Sequence, residues 1–473
     1  MSFIYKPTIL QTSCPCGWPE FMHILGRVGN KKMNLLAARR YKRAGKTTII
    51  IMKLTTILIS LLPLASAIAG TPQSRTDINP ALRYYQAFIL APNLETADRE
   101  FLFDRDWRGQ KLPEKFGELL GRYDSEFRVV REAVGATVEC DWGIDMTPGP
   151  ATLLPHLARN KQIAQTARLR AMWDLQQGKQ AEARNDLIAA LELSRNISRD
   201  GTLISMLVQL AGENIVCSTV AENFYQFSPE TLQQLLEGFG AAPRRGLAVD
   251  SVPVEKEFFL GWLWREVVQA QNANPGNDAA AMAKIRDLVN SMEGAPEGQP
   301  DAPPQRTWEK LSKAAGGTTE GIVRIMADTQ GFYDRLAGIL ALPYSDYEAQ
   351  LKPFNAEVRA SNNPLVDLGF PAVEKCRQKE FSALVELAML QAAIEYKLHG
   401  EAGWKSVSDP CGQGPFELER FTFQGVDRGF QLKSVYNGLG FPQMMIFVEK
   451  DGPPFHVAGA KAGEAFSRSA ARP

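Results

Sequence analysis

The amino-acid sequence predicts a mainly α-helical protein, an antiparallel helical-hairpin stack with a small C-terminal antiparallel β hairpin or meander. Apolar residues recur at three- and four-residue steps through most of the chain, which is typical of helices with one buried face. Short gaps between these segments force neighbouring helices to lie antiparallel. Near the carboxyl end, short alternating segments bounded by Gly, Pro and Asp replace the helical period, which predicts the β unit.

The composition limits the classes of function. The 473 residues are enough for two or three domains, and 45% apolar with 22% charged residues is typical of a folded globular chain. Residues 1–51 hold nine Lys or Arg and one acid, so that, with Lys53 also set aside, 43 basic and 52 acidic residues remain from Gly70 onward. Phosphate backbones repel a surface of this net negative charge. We therefore expect no nucleic-acid binding.

Residues 52–69 are predicted to be a signal peptide. Lys53 precedes an apolar run of about ten residues, and small residues follow at Ala67 and Ala69, where signal peptidase requires them. The mature chain is then expected to begin near Gly70 and to be periplasmic or secreted.

Residues 1–51 are predicted not to belong to the true protein, because they show no sustained period and Met52 offers a later start. The alternative is an uncleaved inner-membrane anchor through residues 48–69, with the basic residues left inside. That segment would be the only contact with a membrane.

Residues 70–293 are predicted to form the helical stack. The expected helices lie near 79–90, 113–134, 154–177, 179–198 and 202–225, followed by an apolar helix over 253–271. The segment 202–225 is apolar on almost every side, so we expect it to be the buried central helix.

Glu213 is the only charged residue within 201–221. A buried carboxylate must be paired or protonated, because an unpaired buried charge costs several kcal/mol. The simpler interpretation is an ion pair with Arg168, Arg170 or Arg195 on a neighbouring helix. The alternative is a catalytic or ligand-binding acid.

The remainder of the chain divides into three parts. These are a Pro- and Gly-rich linker (294–306), a helical continuation (307–400) with a long helix over 371–398, and a small β unit with a tail (401–473). Strands are expected near 416–421, 430–435 and 444–448, and we expect this sheet to pack on the long helix.

Three polar residues near the start of the stack are candidate binding residues. Asp141 and Asp145 flank Trp142, an arrangement suited to a sugar or a calcium ion, although helix capping and solvation are the simpler interpretation. His156 follows Pro155 and either starts a helix or acts as an acid or base. No metal-binding spacing, nucleophile turn or dinucleotide loop is found, so no metal and no cofactor are predicted.

Four cysteines follow the predicted signal: Cys140, Cys217, Cys376 and Cys411. An oxidising compartment makes disulfides possible among them, with three full pairings that the sequence does not rank. Cys217 lies on an apolar stripe and could equally be a small core residue. The pair Cys376 and Cys411 is the first to test, because a long helix and the following turn can fold back on each other.

The segment 376–435 contains a long helix, Asp409-Pro410, Gly412, Pro415 and a strand. It resembles the carboxy-terminal part of type II secretion pseudopilins. With Leu154-Pro155-His156-Leu157 at the entry of the stack, residues 140–435 more closely resemble uncharacterised exported helical proteins of planctomycete-like bacteria. This resemblance implies an extracytoplasmic protein of unknown activity. Pseudopilins join their apolar amino-terminal helix directly to this unit, whereas some 300 residues intervene here.

We expect a non-enzymatic, exported helical scaffold or binding protein whose partner is an unidentified envelope protein or polymer. The alternatives are a cell-envelope hydrolase that uses buried acids such as Glu213 and a secretion-system accessory protein. A hydrolase should have Glu213 in a deep pocket beside a second polar group. A scaffold should have it paired to Arg and enclosed by packing.

Overall fold

The structure, a computed structural model, describes four stretches of the chain. These are residues 78–292, 306–423, 425–438 and 440–450. The predicted signal peptide (52–69), the region 1–51, the alternative anchor (48–69) and almost all of the predicted linker (294–306) lie outside them.

Sixteen α-helices and three strands occupy the described residues. The helices are α1 Pro80–Leu90, α2 Thr96–Phe103, α3 Glu114–Gly121, α4 Asp124–Glu132, α5 Pro155–Gln176, α6 Gln180–Ile197, α7 Leu203–Glu222, α8 Pro229–Ala241, α9 Ala248–Glu255, α10 Trp262–Ala273, α11 Asp278–Met292, α12 Arg306–Ala314, α13 Thr319–Leu340, α14 Tyr344–Ser361, α15 Pro364–His399 and α16 Glu401–Lys405. The strands are β1 Glu417–Phe423, β2 Val426–Lys433 and β3 Met444–Val448. The predicted fold class is therefore confirmed.

The centre of the fold is the hairpin stack α5, α6 and α7, in which all three helices pack on one another and α15 packs on α7. Gly178, at φ 73°, takes the left-handed conformation that ends α5 and turns the chain into α6. The Thr202 side chain caps α7 by accepting from the Ser205 N–H.

Helix α7 is the expected central helix. Among the described residues it alone is long and apolar enough to cross a bilayer, and 61% of its apolar window is buried in the fold. Its apolar character is explained by contacts with neighbouring helices on several sides.

Three predicted helices have different bounds in the structure. The predicted helix over 113–134 is two helices, α3 and α4. The helix expected over 253–271 begins earlier, at Ala248, because the Asp250 carboxylate accepts from the Leu247 N–H, and it contains a π-helical turn, Lys256–Gly261. The long helix begins at Pro364 rather than residue 371, since Asn363 caps it and proline is tolerated in a first turn.

The carboxy-terminal sheet is antiparallel with the order β1-β2-β3. Phe430 and Phe447 stack at 5.1 Å between ring centroids, and both rings lie edge-on or tilted against Phe224 just beyond α7. Tyr396 on α15 contacts Phe430 at 5.0 Å. The sheet therefore packs on the long helix, as expected, and also covers the end of α7.

Candidate functional site

Glu213 lies on the buried face of α7 and is 2% exposed. Its Oε1 accepts from Nε of Arg195 on α6 at 2.9 Å, and its Oε2 is paired with Nη2 of Arg245. Arg195, one of the three arginines predicted as partners, forms the ion pair with Glu213. The second guanidinium comes from the loop between α8 and α9.

The other two predicted partners of Glu213 are engaged elsewhere. Arg168 binds Glu222 at 2.8 Å, and Arg170 binds Asp186 at 2.7 Å. Among the described residues, Arg195 and Arg245 are the ion-pair partners of Glu213.

Arg195 also fastens the end of a neighbouring helix. Its Nη1 donates to the carbonyls of Phe239, Ala242 and Pro243 at 3.1–3.3 Å, around the carboxyl end of α8. Carbonyl groups at a helix end lack helical partners, and a cation there also interacts favourably with the helix dipole. The Glu213 pair thus holds α6, α7 and α8 together, and both carboxylate oxygens face guanidinium groups rather than a pocket.

His156 is fully buried in the first turn of α5. Its ring stacks on Trp142 at 4.6 Å, and its Nε2 lies 3.2 Å from Oδ2 of Asp200. The same oxygen of Asp200 accepts from Ser205 Oγ at 2.5 Å, and the other oxygen accepts from the Thr202 N–H at 2.9 Å. Asp200 thus links the start of α5 to the cap of α7.

The arrangement of His156, Asp200 and Ser205 contains the residue types of a nucleophilic triad without its geometry. In such a triad the histidine bridges the serine and the carboxylate. Here Asp200 lies between them, and both His156 and Ser205 are fully buried. Nδ1 of His156 has no hydrogen-bond partner among the described residues.

Asp141 and Asp145 lie on the surface on either side of buried Trp142. The Asp141 carboxylate accepts from the Gly143 N–H at 2.9 Å. The Asp145 carboxylate accepts from the Thr147 N–H at 2.9 Å, and this bond lowers the pKa of Asp145. Each acid stabilises its own turn, while Trp142 provides the buried contact with His156.

Glu255, half-buried at the end of α9, accepts from the Leu203 N–H at 2.7 Å at the start of α7. Burial raises the pKa of this carboxyl to about 7, and the nearby Asp200 adds to the increase. A titratable group therefore lies at the junction of α9 with α7.

The cysteines lie in different parts of the fold. Cys140, Cys217 and Cys411 are free thiols in the structure, and Cys376 is buried on α15. Burial raises the pKa of the Cys140 and Cys411 thiols to about 12, which makes them weak nucleophiles at neutral pH. The pairing of these cysteines under oxidising conditions stays a prediction.

Sequence reasoning missed Asp200, Arg245 and Glu386. Asp200 had a detectable signal, because Asp200-Gly201-Thr202 immediately before an apolar run is typical of a helix start. Glu386 accepts from Asn214 Nδ2 at 2.6 Å and from Gln443 Nε2 at 3.0 Å, and joins α7 to the segment before β3. Partners so distant in sequence leave no local pattern.

The described residues contain no group of three or more His, Cys, Asp or Glu side chains that could hold a metal ion. Glu213, Asp200 and Glu255 are instead bonded to Arg side chains, hydroxyl groups and backbone N–H groups. Comparison of the chain with protein-family models, with curated proteins and with solved structures finds no match.

Proposed function

We propose that the protein is a non-enzymatic helical scaffold or binding protein that acts in the periplasm or outside the cell. One observation carries this proposal: Glu213, the buried acid in the middle of the central helix, is held between Arg195 and Arg245 and enclosed by packing. A general acid or base must reach its substrate within hydrogen-bond distance. The geometry of Glu213 therefore favours a structural role over the hydrolase alternative.

The contacts of Asp200 support the same proposal. Asp200 accepts hydrogen bonds from the first turn of α7 and contacts His156, which no solvent reaches. Both carboxylates therefore join helices of the stack, as a rigid scaffold requires.

The location and the partner are also proposals. The apolar run ending at Ala69, with small residues before it, supports export, and the acidic excess from Gly70 onward supports a protein or polymer partner of the envelope rather than a nucleic acid. Amino-terminal sequencing of the native protein from the periplasmic fraction tests the location. We expect a first residue near Gly70, and a cytoplasmic chain that retains residues 52–69 would overturn it.

An activity assay tests the non-enzymatic role. Purified protein and the Glu213→Gln variant are incubated with cell-wall fragments, and released soluble products are measured. We expect no release above buffer from either protein. Release by the unaltered protein that disappears in a variant whose circular dichroism is still native would show that Glu213 is catalytic.

The carboxy-terminal unit favours a second candidate, a secretion-system accessory related to the exported helical proteins and pseudopilins named above. The supporting observation is the order of elements, in which α15 leads through a turn at Asp409 into an antiparallel sheet. The Asp409 carboxylate accepts from Ser434 Oγ at 2.6 Å and so fastens that turn to the sheet. Co-purification with envelope assembly components, lost on Asp409→Ala but kept on Asp427→Ala, would favour this candidate.

A further inference from the structure

A polar cavity of about 200 Å³ lies where α3, the start of α4 and the end of α5 meet. Its lining combines charged side chains, one indole ring and two glycines. The lining residues are Gly117, Leu120, Gly121, Asp124, Arg170, Trp173, Asp174 and Lys179. None of the candidate residues described above lines it.

Arg170 lines the cavity and has one donor that makes no hydrogen bond within the described part of the chain. Its Nε donates to Asp186 at 2.7 Å, and its Nη1 donates to Asp124 at 2.7 Å and to the Leu120 carbonyl at 3.1 Å. These bonds hold the guanidinium plane in place. Nη2 makes no hydrogen bond to another described residue, although Arg170 is 8% exposed.

Asp174 presents an unused acceptor to the same cavity. The residue is 8% exposed, and its carboxylate accepts no hydrogen bond from the described residues. Burial raises the pKa of this carboxyl to about 6, and the neighbouring Asp186 adds to the increase. The Asp174 carboxylate can therefore accept a hydrogen bond from a ligand in the cavity.

Two glycines on one face of α3 leave the space open. The indole of Trp173 lies where a β-carbon of Gly117 would be, at 2.2 Å from that position. A β-carbon at Gly121 would meet no atom within 4 Å. Because Gly121 lines the cavity, a large side chain at this position has room to occupy it.

We propose that this cavity binds a small zwitterion of the α-amino-acid class, with the ammonium group on Asp174 and the carboxylate on Nη2 of Arg170 and on Lys179. The lining carries two carboxylates, of Asp124 and Asp174, and two cationic groups, of Arg170 and Lys179, so a ligand without net charge leaves the net charge of the lining unchanged. The volume is below the roughly 300 Å³ at which pockets for drug-sized ligands begin, which selects a small molecule. This proposal is independent of the scaffold role.

Calorimetric titration of the full protein with glycine, L-alanine and L-serine tests the proposal. We expect saturable binding, and weaker binding of alaninamide and of propionate, which lack the carboxylate and the ammonium group respectively. Asp174→Asn should weaken binding of the amino acid about ten- to a hundredfold, since it removes a charged acceptor. Gly121→Leu should abolish binding by filling the cavity while the helix keeps its stability.

Glu182→Gln is the matched control. It removes a negative charge that acts on Asp174 through space, but Glu182 is exposed and does not line the cavity. We expect its affinity to stay within about twofold of the unaltered protein. Circular dichroism confirms that each variant is folded.

Three results would overturn the proposal. The first is the absence of saturable binding of any of the three amino acids at millimolar concentration. The second is that Asp174→Asn and Gly121→Leu bind the amino acid as tightly as the unaltered protein does. The third is that propionate binds as tightly as L-alanine. None of them would bear on the role of Glu213.

Discussion

Two buried ionic clusters of this protein use the same residue types in opposite ways. Around Glu213, Arg195 and Arg245 meet both carboxylate oxygens. Around the cavity, Asp174 has no hydrogen-bond donor among the described residues and Nη2 of Arg170 has no acceptor. Buried charge alone therefore does not indicate function, and the two clusters differ in whether the carboxylate is paired.

The difference arises from what surrounds each cluster. The loop between α8 and α9 brings Arg245 onto Glu213, and the carbonyl groups at the end of α8 accept from Nη1 of Arg195. At the cavity, Gly117 and Gly121 supply no side chain that could reach Asp174. A carboxylate paired through both oxygens holds helices together, whereas a carboxylate without a donor can accept a ligand.

A large loss of stability is expected when the Asp200 carboxylate, which joins α5 to α7, is removed. Asp200→Ala leaves the Thr202 N–H, the Ser205 hydroxyl and His156 without their acceptor. We expect a loss of about 3–5 kcal/mol in the free energy of unfolding, measured by urea titration. Asp145→Ala, which alters only an exposed turn, should cost less than about 1 kcal/mol. Equal losses would contradict the structural role of Asp200.

The stability of the protein should depend on pH through Glu255. The Glu255 carboxyl has a pKa of about 7 in the folded chain and an ordinary value near 4.5 when unfolded, so the folded state holds its proton more tightly. The contribution of Glu255 to the free energy of unfolding is therefore highest below about pH 4.5. It falls as the pH rises toward 7, by at most about 3 kcal/mol.

Glu255→Gln should remove this part of the pH dependence. Its side-chain oxygen can still accept from the Leu203 N–H, and no proton is lost. Melting temperatures between about pH 5 and pH 8 should fall less steeply in the variant than in the unaltered protein. Parallel curves would show that Glu255 does not titrate in this range.

The smallest expected effect concerns the close approach of α6 and α7. A β-carbon at Gly212 would lie 2.1 Å from Oγ and 2.8 Å from Cβ of Ser194. Gly212→Ala should cost about 1–3 kcal/mol despite its better helix propensity. Gly331→Ala, whose β-carbon meets no atom within 4 Å, should be neutral or stabilising by up to about 1 kcal/mol. A neutral Gly212→Ala variant would show that the two helices can move apart.

Most of the fold could be predicted from the sequence, because helix periodicity and capping are local. The hairpin stack, the buried α7 and the strands near the carboxyl end follow from such patterns. The pairing of Glu213 with Arg195 could be anticipated as one of three choices, since α6 and α7 are adjacent in sequence. Arg245, Asp200 and the Asp174 cavity could not, because tertiary packing brings their partners together.

The central claim is that the Glu213 carboxylate stabilises the fold and that the Asp174 carboxylate does not. We would measure equilibrium unfolding of Glu213→Gln and Asp174→Asn side by side in urea at neutral pH. Glu213→Gln leaves two buried guanidinium groups without their anion, so we expect a loss of about 3–5 kcal/mol. Asp174→Asn removes a carboxylate whose burial already opposes ionisation, so we expect no loss, or a gain of up to about 2 kcal/mol. Undiminished stability of Glu213→Gln, or an equal loss in Asp174→Asn, would contradict the assignment of a structural role to the first cluster and of an open site to the second.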